Sequence, residues 1–411
     1  MKKISIFTFL LLLTGLHNAT ARQTTMYVQD STVIEHSNAA IRTVKTLSGA
    51  YFNSSLDNDR LGGSKIGFIS EDVILKAEEA NDGLYKIILS NNRYAYMPKE
   101  MVTDTIVDAS ILQTCASQSM NISNRGTYDR VKIGLPVRKP YIIRENSNPR
   151  QLIIELFGVQ NNSNWITQYL NLKSVENIEA IQTDSDVLTL VVNLKGHSSW
   201  GYSAKYEENN LVVDIKHAPK FSLKGLTIGI DAGHGGPDSN GAIGRTTMAK
   251  EKDLNLAMAL MLKDILESHG AKTVLSRNAD VGITMAERKR VFMDNNIDLL
   301  ISIHCNAGGR QAHGTSTYYK HIQNRELAKQ ILDRLVKING VDLFGLVGNF
   351  NFSLNAPTEY PAILVETLFL SYKPDEEKIV NPDFRKKMMK QVAKGIKDYL
   401  KYCKKAEKEK R

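Results

Sequence analysis

His234, Glu251, His304 and Glu366 are the side chains of this sequence best suited, by type and by place, to hold a metal ion or move a proton. His234 lies in Ile230-Asp231-Ala232-Gly233-His234-Gly235-Gly236, just past an apolar run that reads as a buried strand, in a turn whose glycines let the backbone come close to a ligand. Ligands of open α/β sheets collect at such strand ends. A phosphate-cradling loop is the rival reading; the Lys-Ser or Lys-Thr ending it needs is absent and a histidine holds the centre, which favours a metal. Glu251 follows 17 residues later at the start of a helical run, and His304 ends the run Leu299-Leu300-Ile301-Ser302-Ile303. Two imidazoles and one carboxylate leave zinc a coordination position for water, as in several zinc hydrolases. Taken singly, either histidine reads as a hydrogen-bonded structural residue, and Glu251 as a partner of the helix dipole. Glu366 ends Pro361-Ala362-Ile363-Leu364-Val365, where a charge at a sheet edge needs a partner. A zinc-bound water would provide one, with Glu366 as general base; pairing with a lysine or arginine is the alternative.

These residues need a scaffold, and the sequence after Lys224 supplies one. Apolar β runs at 226–231, 272–276, 299–304 and 362–366 alternate with amphipathic helical stretches at 253–268, 284–295, 324–338 and 383–402. That alternation predicts an α/β unit over 224–404 with a mainly parallel sheet covered on both faces. Cys305 adjoins His304, but consecutive strand residues point to opposite faces, so Cys305 is assigned to packing and not to the metal.

The ordered set Asp231-Ala232-Gly233-His234-Gly235-Gly236, Glu251-Lys252-Asp253-Leu254-Asn255-Leu256, Ser302-Ile303-His304-Cys305-Asn306-Ala307 and Pro361-Ala362-Ile363-Leu364-Val365-Glu366-Thr367 resembles the zinc-dependent N-acetylmuramoyl-L-alanine amidases called type 3 amidases, over about residues 225–402. The resemblance implies Zn²⁺ held by His234, Glu251 and His304, Glu366 as the base that takes a proton from the attacking water, and Asn306 lining the substrate groove. It implies peptidoglycan as substrate: the amide between N-acetylmuramic acid and L-alanine is hydrolysed, and Glu366 returns a proton to the departing amine. The sequence departs from the family pattern at Cys305, where a small residue is common, at Leu368, where glycine is, and at Ser276, where threonine usually precedes the arginine. Division-linked relatives carry a helical plug between the last histidine and the glutamate. The 62 residues from His304 to Glu366 are too few for it, which predicts an open site. A non-catalytic peptidoglycan-binding protein and a zinc peptidase cutting within the stem peptide are the two rival functions.

The N-terminal half carries no comparable cluster. Lys2 and Lys3, an apolar run over 4–16 and Ala19-Thr20-Ala21 read as a signal peptide over 1–21, which places the chain in the periplasm or cell envelope, or outside the cell. The apolar run is shorter than the roughly 20 residues of a membrane-spanning helix, so the mature chain is expected to lack a transmembrane segment. Two β-rich units follow, one over 38–107 that resembles bacterial SH3-like modules and one over 118–219 that resembles AMIN domains. Both resemblances imply placement on the wall, and an envelope regulatory protein as partner; an inert spacer is the alternative for each. Net charge is +9, or +7 once Lys2 and Lys3 leave, with much of the excess over 385–411 and a basic tail at 405–411. A basic surface gathers near anionic polymers, and an exported chain has no nucleic acid to meet. Three widely spaced cysteines, Cys115, Cys305 and Cys403, predict no obligatory disulfide.

Overall fold

The computed structural model describes residues 41–408, apart from 60, 82, 197, 198 and 310. The expected signal peptide, the start of the first β unit and the last residues of the basic tail lie outside the described residues.

The first β unit is a seven-stranded sheet in the order Gly62–Phe68, Tyr51–Asp59, Arg93–Pro98, Leu84–Ser90, Ile74–Glu79, Arg42–Thr46, Val102–Asp104. Its alternating residues bury Val44, Phe52, Leu75, Ile87 and Met97 on one side. The second unit is a sandwich. Five strands (Ile166–Gln168, Met120–Asn124, Tyr128–Ile133, Asn210–Lys216, Tyr202–Glu207) pack on four (Tyr141–Ser147, Arg150–Phe157, Val187–Leu194, Val175–Asp184). The two units share one continuous apolar core. Polar contacts reinforce it: Arg93 pairs with the buried Glu155, and the hydroxyls of Ser70 and Tyr141 lie 2.7 Å apart.

The C-terminal unit is a six-stranded sheet ordered Lys272–Leu275, Thr227–Ala232, Leu299–Asn306, Ala362–Phe369, Thr315–Tyr319, Leu343–Val347. The sheet is mixed: Thr315–Tyr319 runs antiparallel to Ala362–Phe369, while the other neighbours pair in parallel. Leu299–Asn306 is central and buried nearly throughout; its first half is apolar but for Ser302, and His304 and Asn306 mark its end. Helices Glu251–Glu267, Arg325–Leu335 and Pro382–Lys408 close one face through Met258, Leu262, Ile331, Val392 and Ile396. The opposite face holds Phe292 of helix Met285–Asp294 against Leu300, Leu354 and Ala362.

The last helix runs to Lys408, past the expected end at 402 and into the expected tail, because Cys403 and Ala406 continue the buried stripe of Tyr399 and Leu400. Helix Met285–Asp294 starts with a capping box in which Thr284 and Glu287 satisfy each other's backbone. No helix among the described residues is long and apolar enough to cross a membrane, and none of the three cysteines forms a disulfide.

Candidate metal centre

The three expected ligands converge. One ligating atom from each of His234, Glu251 and His304 lies within 4.8 Å of the others. Three elements bring them there: the turn after Thr227–Ala232, the first residue of helix Glu251–Glu267, and the C-terminal end of Leu299–Asn306. Glu251 Oε2 lies 3.3 Å from His234 Nε2, and its Oε1 lies 3.0 Å from His304 Nδ1. The imidazoles meet edge to face, with ring centres 5.1 Å apart.

The carboxylate is fixed on every side. Oε2 accepts the Ala242 N–H at 2.7 Å, and Oε1 accepts the Cys305 N–H at 3.1 Å and the Asn255 amide at 3.2 Å. Burial pushes the Glu251 pKa up, but the two imidazoles outweigh it and hold the group ionised, well below the usual carboxylate range. Burial likewise pushes His304 down; the Glu251 hydrogen bond and the charges of Glu366, Glu251 and Asp231 outweigh it and raise its pKa. His234 Nδ1 is 3.1 Å from the Ser239 hydroxyl.

The residues fit a metal. His304 Nε2 is buried without a hydrogen-bond partner among the described residues, a loss that an interior normally avoids and that a metal bond removes. Two imidazoles and a carboxylate are also the donor set that zinc takes in open hydrolytic sites. The glycines are cut to this cluster. A Cβ on Gly233 would lie 2.3 Å from the His304 ring, and one on Gly241, at φ +68°, would lie 2.4 Å from Glu251 Oε2. His234 itself takes a left-handed φ of 61°, a conformation that non-glycine residues adopt at a cost.

Two arginines hold that strained turn in place. Arg288, fully buried, donates to Asp231, to Ala232 O at 2.8 Å and to His234 O at 2.6 Å. Arg277 donates to Ala232 O at 2.9 Å, Gly233 O at 3.0 Å and Lys252 O at 2.7 Å. The carbonyls left over where the strand ends are thus satisfied by guanidinium groups. Asp231, whose other oxygen takes the Ser302 hydroxyl at 2.6 Å, balances Arg288 and is held ionised by it against its burial. Sequence reasoning did not find Asp231, Arg277, Arg288 or Asn255 as parts of the site. Asp231 and Asn255 stand inside the quoted motifs, whereas an arginine in the middle of a helix gave no signal.

Glu366 sits opposite His304 on the neighbouring parallel strand and is partly exposed. Asn306, two residues beyond His304, donates to Tyr318 Oη at 3.3 Å. Cys305 packs in the core with its Sγ 3.4 Å from the Thr367 hydroxyl, and burial raises its pKa far above the usual thiol range. Between His304 and Glu366 the chain forms helix Arg325–Leu335, which buries Leu327, Ala328 and Ile331 in the core shared with helix Pro382–Lys408, away from the cluster. From this segment Phe352 reaches the cluster, its ring centre 5.8 Å from that of His304.

Residues 228–398 match the family model described as N-acetylmuramoyl-L-alanine amidase, and residues 119–215 match that of the AMIN domain. Among curated proteins, the chain is similar to YqiI of Bacillus subtilis, described as uncharacterized, with 35% identity over 181 residues, 43% of this chain and 86% of that protein. It is 33% identical over 185 residues to the N-acetylmuramoyl-L-alanine amidase LytC of Bacillus subtilis, covering 44% of this chain and 36% of LytC. With the protein described as "Probable cell wall amidase LytH" of Staphylococcus aureus it shares 29% over 201 residues, 49% of this chain and 67% of LytH. Among solved structures it is similar to the catalytic domain of CwlV, an N-acetylmuramoyl-L-alanine amidase from Bacillus (Paenibacillus) polymyxa var. colistinus, at 31% identity and a TM-score of 0.41, covering 43% of this chain and 98% of that one.

Proposed function

The chain belongs to the N-acetylmuramoyl-L-alanine amidase family, and from that premise we propose that it is a zinc enzyme of the cell envelope that hydrolyses the amide between N-acetylmuramic acid and the L-alanine of the peptidoglycan stem peptide. The observation that carries the reading is the convergence of His234, Glu251 and His304, with His304 Nε2 buried and unsatisfied. These three residues would hold the ion, which when bound would supply Lewis-acid polarisation of the lactyl carbonyl and acidify a water near neutral pH.

The chain's own groups do the rest. Glu251 orients both imidazoles and keeps the site anionic, which favours a divalent cation over an empty cluster. Glu366, facing His304 across the strand pair, takes the proton of the attacking water and passes it to the departing alanine amine. Asn306, tethered to Tyr318, lines the groove along which the substrate lies. The AMIN-matching region and the SH3-like unit place the catalytic unit on the wall, and control rests with them or with an envelope partner, because helix Arg325–Leu335 packs away from the cluster.

The test is metal dependence. Purified chain stripped with a chelator should lose hydrolysis of a muramoyl-peptide and regain it with one equivalent of zinc. Full activity with no bound metal would remove zinc from the account.

A further inference from the structure

The segment that carries Phe352 to the metal centre is also touched by the first β unit. Phe352 stands with its ring centre 5.8 Å from that of His304 and the two planes 86° apart. It packs as well against the apolar group of Phe292, Ile297, Leu300 and Ala362. Two hydrogen bonds tie the segment to strand Thr315–Tyr319 on either side of Phe352. The Phe350 N–H donates to Tyr319 O at 2.9 Å, and Asn355 Nδ2 donates to Tyr318 O at 3.3 Å.

Between these anchors Asn351 reaches out of the catalytic unit. Its Nδ2 donates at 2.6 Å to Gly63 O, 288 residues earlier in the chain. Gly63 belongs to Gly62–Phe68, an edge strand of the seven-stranded sheet. The outer backbone groups of such a strand have no ladder partner and are open to a contact of this kind. Gly63 is itself tightly placed: a Cβ there would lie 2.5 Å from Nδ2 of Asn53, which is buried. Asn351 Oδ1 is buried with no hydrogen-bond partner among the described residues. Turning the amide over would set that oxygen against Gly63 O, so the donated bond fixes which way the side chain points. A buried acceptor left unsatisfied costs stability, and the bond to Gly63 is what the amide gains at this position.

We propose that Asn351 is a positioning residue of the metal centre: through its bond to Gly63 the first β unit buttresses Phe352, and Phe352 confines the His304 imidazole. Glu251 holds that ring at Nδ1, at 3.0 Å, and Phe352 bounds it from the side. Apolar groups packed around a metal site control ligand orientation and the access of water. The first β unit thus acts on the chemistry directly as well as through placement on the wall. The inference rests on the amidase reading for the reaction that is affected.

The experiment uses the zinc-loaded full chain and a soluble muramoyl-peptide, for which placement on a wall contributes nothing. Loss of the bond in Asn351→Asp, whose carboxylate cannot donate, predicts a kcat/KM about tenfold lower. Asn351→Gln, which keeps an amide donor, should recover most of it. Phe352→Leu should also lower kcat/KM, and the double variant with Asn351→Asp should fall no further than the lower of the two single variants, because residues that act through one contact are not additive. An unchanged kcat/KM in Asn351→Asp, or fully additive losses, overturns the proposal. A second readout is independent of turnover and of the aspartate variant. Fluorine NMR of para-fluorophenylalanine placed at position 352 should give a resonance that shifts when zinc is added and shifts or broadens in Asn351→Ala. A resonance that Asn351→Ala leaves unchanged overturns the proposal. Absence of cleavage at the muramoyl-alanine bond by the wild type counts against the amidase reading, and the fluorine resonance then decides the positioning role by itself.

Discussion

His304 and Glu251 stand 53 residues apart in the sequence, yet Nδ1 of the one lies 3.0 Å from Oε1 of the other. The contact ties the end of the central strand to the first turn of a helix and holds both side chains in the cluster with His234. Glu251→Gln would keep the shape and remove the charge. It should weaken zinc by more than the roughly 10–100-fold typical of outer-shell partners, read by competition with a chromophoric chelator. Affinity within threefold of wild type would show that Glu251 is not a ligand.

Metal loading should depend on pH in a stated direction. Zinc requires a neutral His304, and the raised pKa of that residue in the metal-free protein means protons compete above its ordinary value of about 6.5. Zinc affinity should therefore fall as pH drops through and below neutrality, with proton release on binding visible as a buffer-dependent enthalpy. Affinity that stays level from pH 8 to 6 would contradict the assignment.

Glu366→Gln should separate binding from chemistry. Zinc content should stay at one equivalent while kcat falls by about 10²–10⁴, the usual range for loss of a general acid-base group. A variant that loses zinc in parallel with activity would make Glu366 a ligand.

Gly233→Ala tests the cradle. The added methyl would sit 2.3 Å from the His304 ring, so either the ring or the turn must move. Overpacking of this kind costs about 1–3 kcal/mol, and zinc affinity should fall with stability. Unchanged melting and zinc content would show that the turn yields freely.

Arg288→Met leaves Asp231 buried without its counter-charge. Breaking such a pair costs about 3–5 kcal/mol, measurable by denaturant unfolding, and the double variant with Asp231→Asn should recover part of it. The single variant should also weaken zinc, because the His234 carbonyl loses its donor.

The three residues of the cluster were legible because each stands where an element begins or ends, and glycine spacing marks the turn at 233–236. The arginines were not. In Met285–Asp294, Glu287 and Arg290 face solvent, and nothing local distinguishes Arg288, whose burial depends on Asp231 57 residues away. Strands Thr315–Tyr319 and Leu343–Val347 escaped for a similar reason: five residues each, one of them split by Gly345, they have no period of their own and exist through pairing with the sheet edge. Helix Lys373–Ile379 is too short to show a stripe. The two β units were legible as separate textures, whereas their common core depends on side chains such as Tyr141 reaching across from one to the other.

The most direct measurement is identification by mass spectrometry of fragments released from purified sacculi by wild-type chain and by Glu366→Ala. Intact stem peptides with a free L-alanine amine are expected from the wild type and none from the variant. Fragments cut inside the stem would make the protein a peptidase, and no release by a zinc-loaded wild type would contradict hydrolysis by this chain alone.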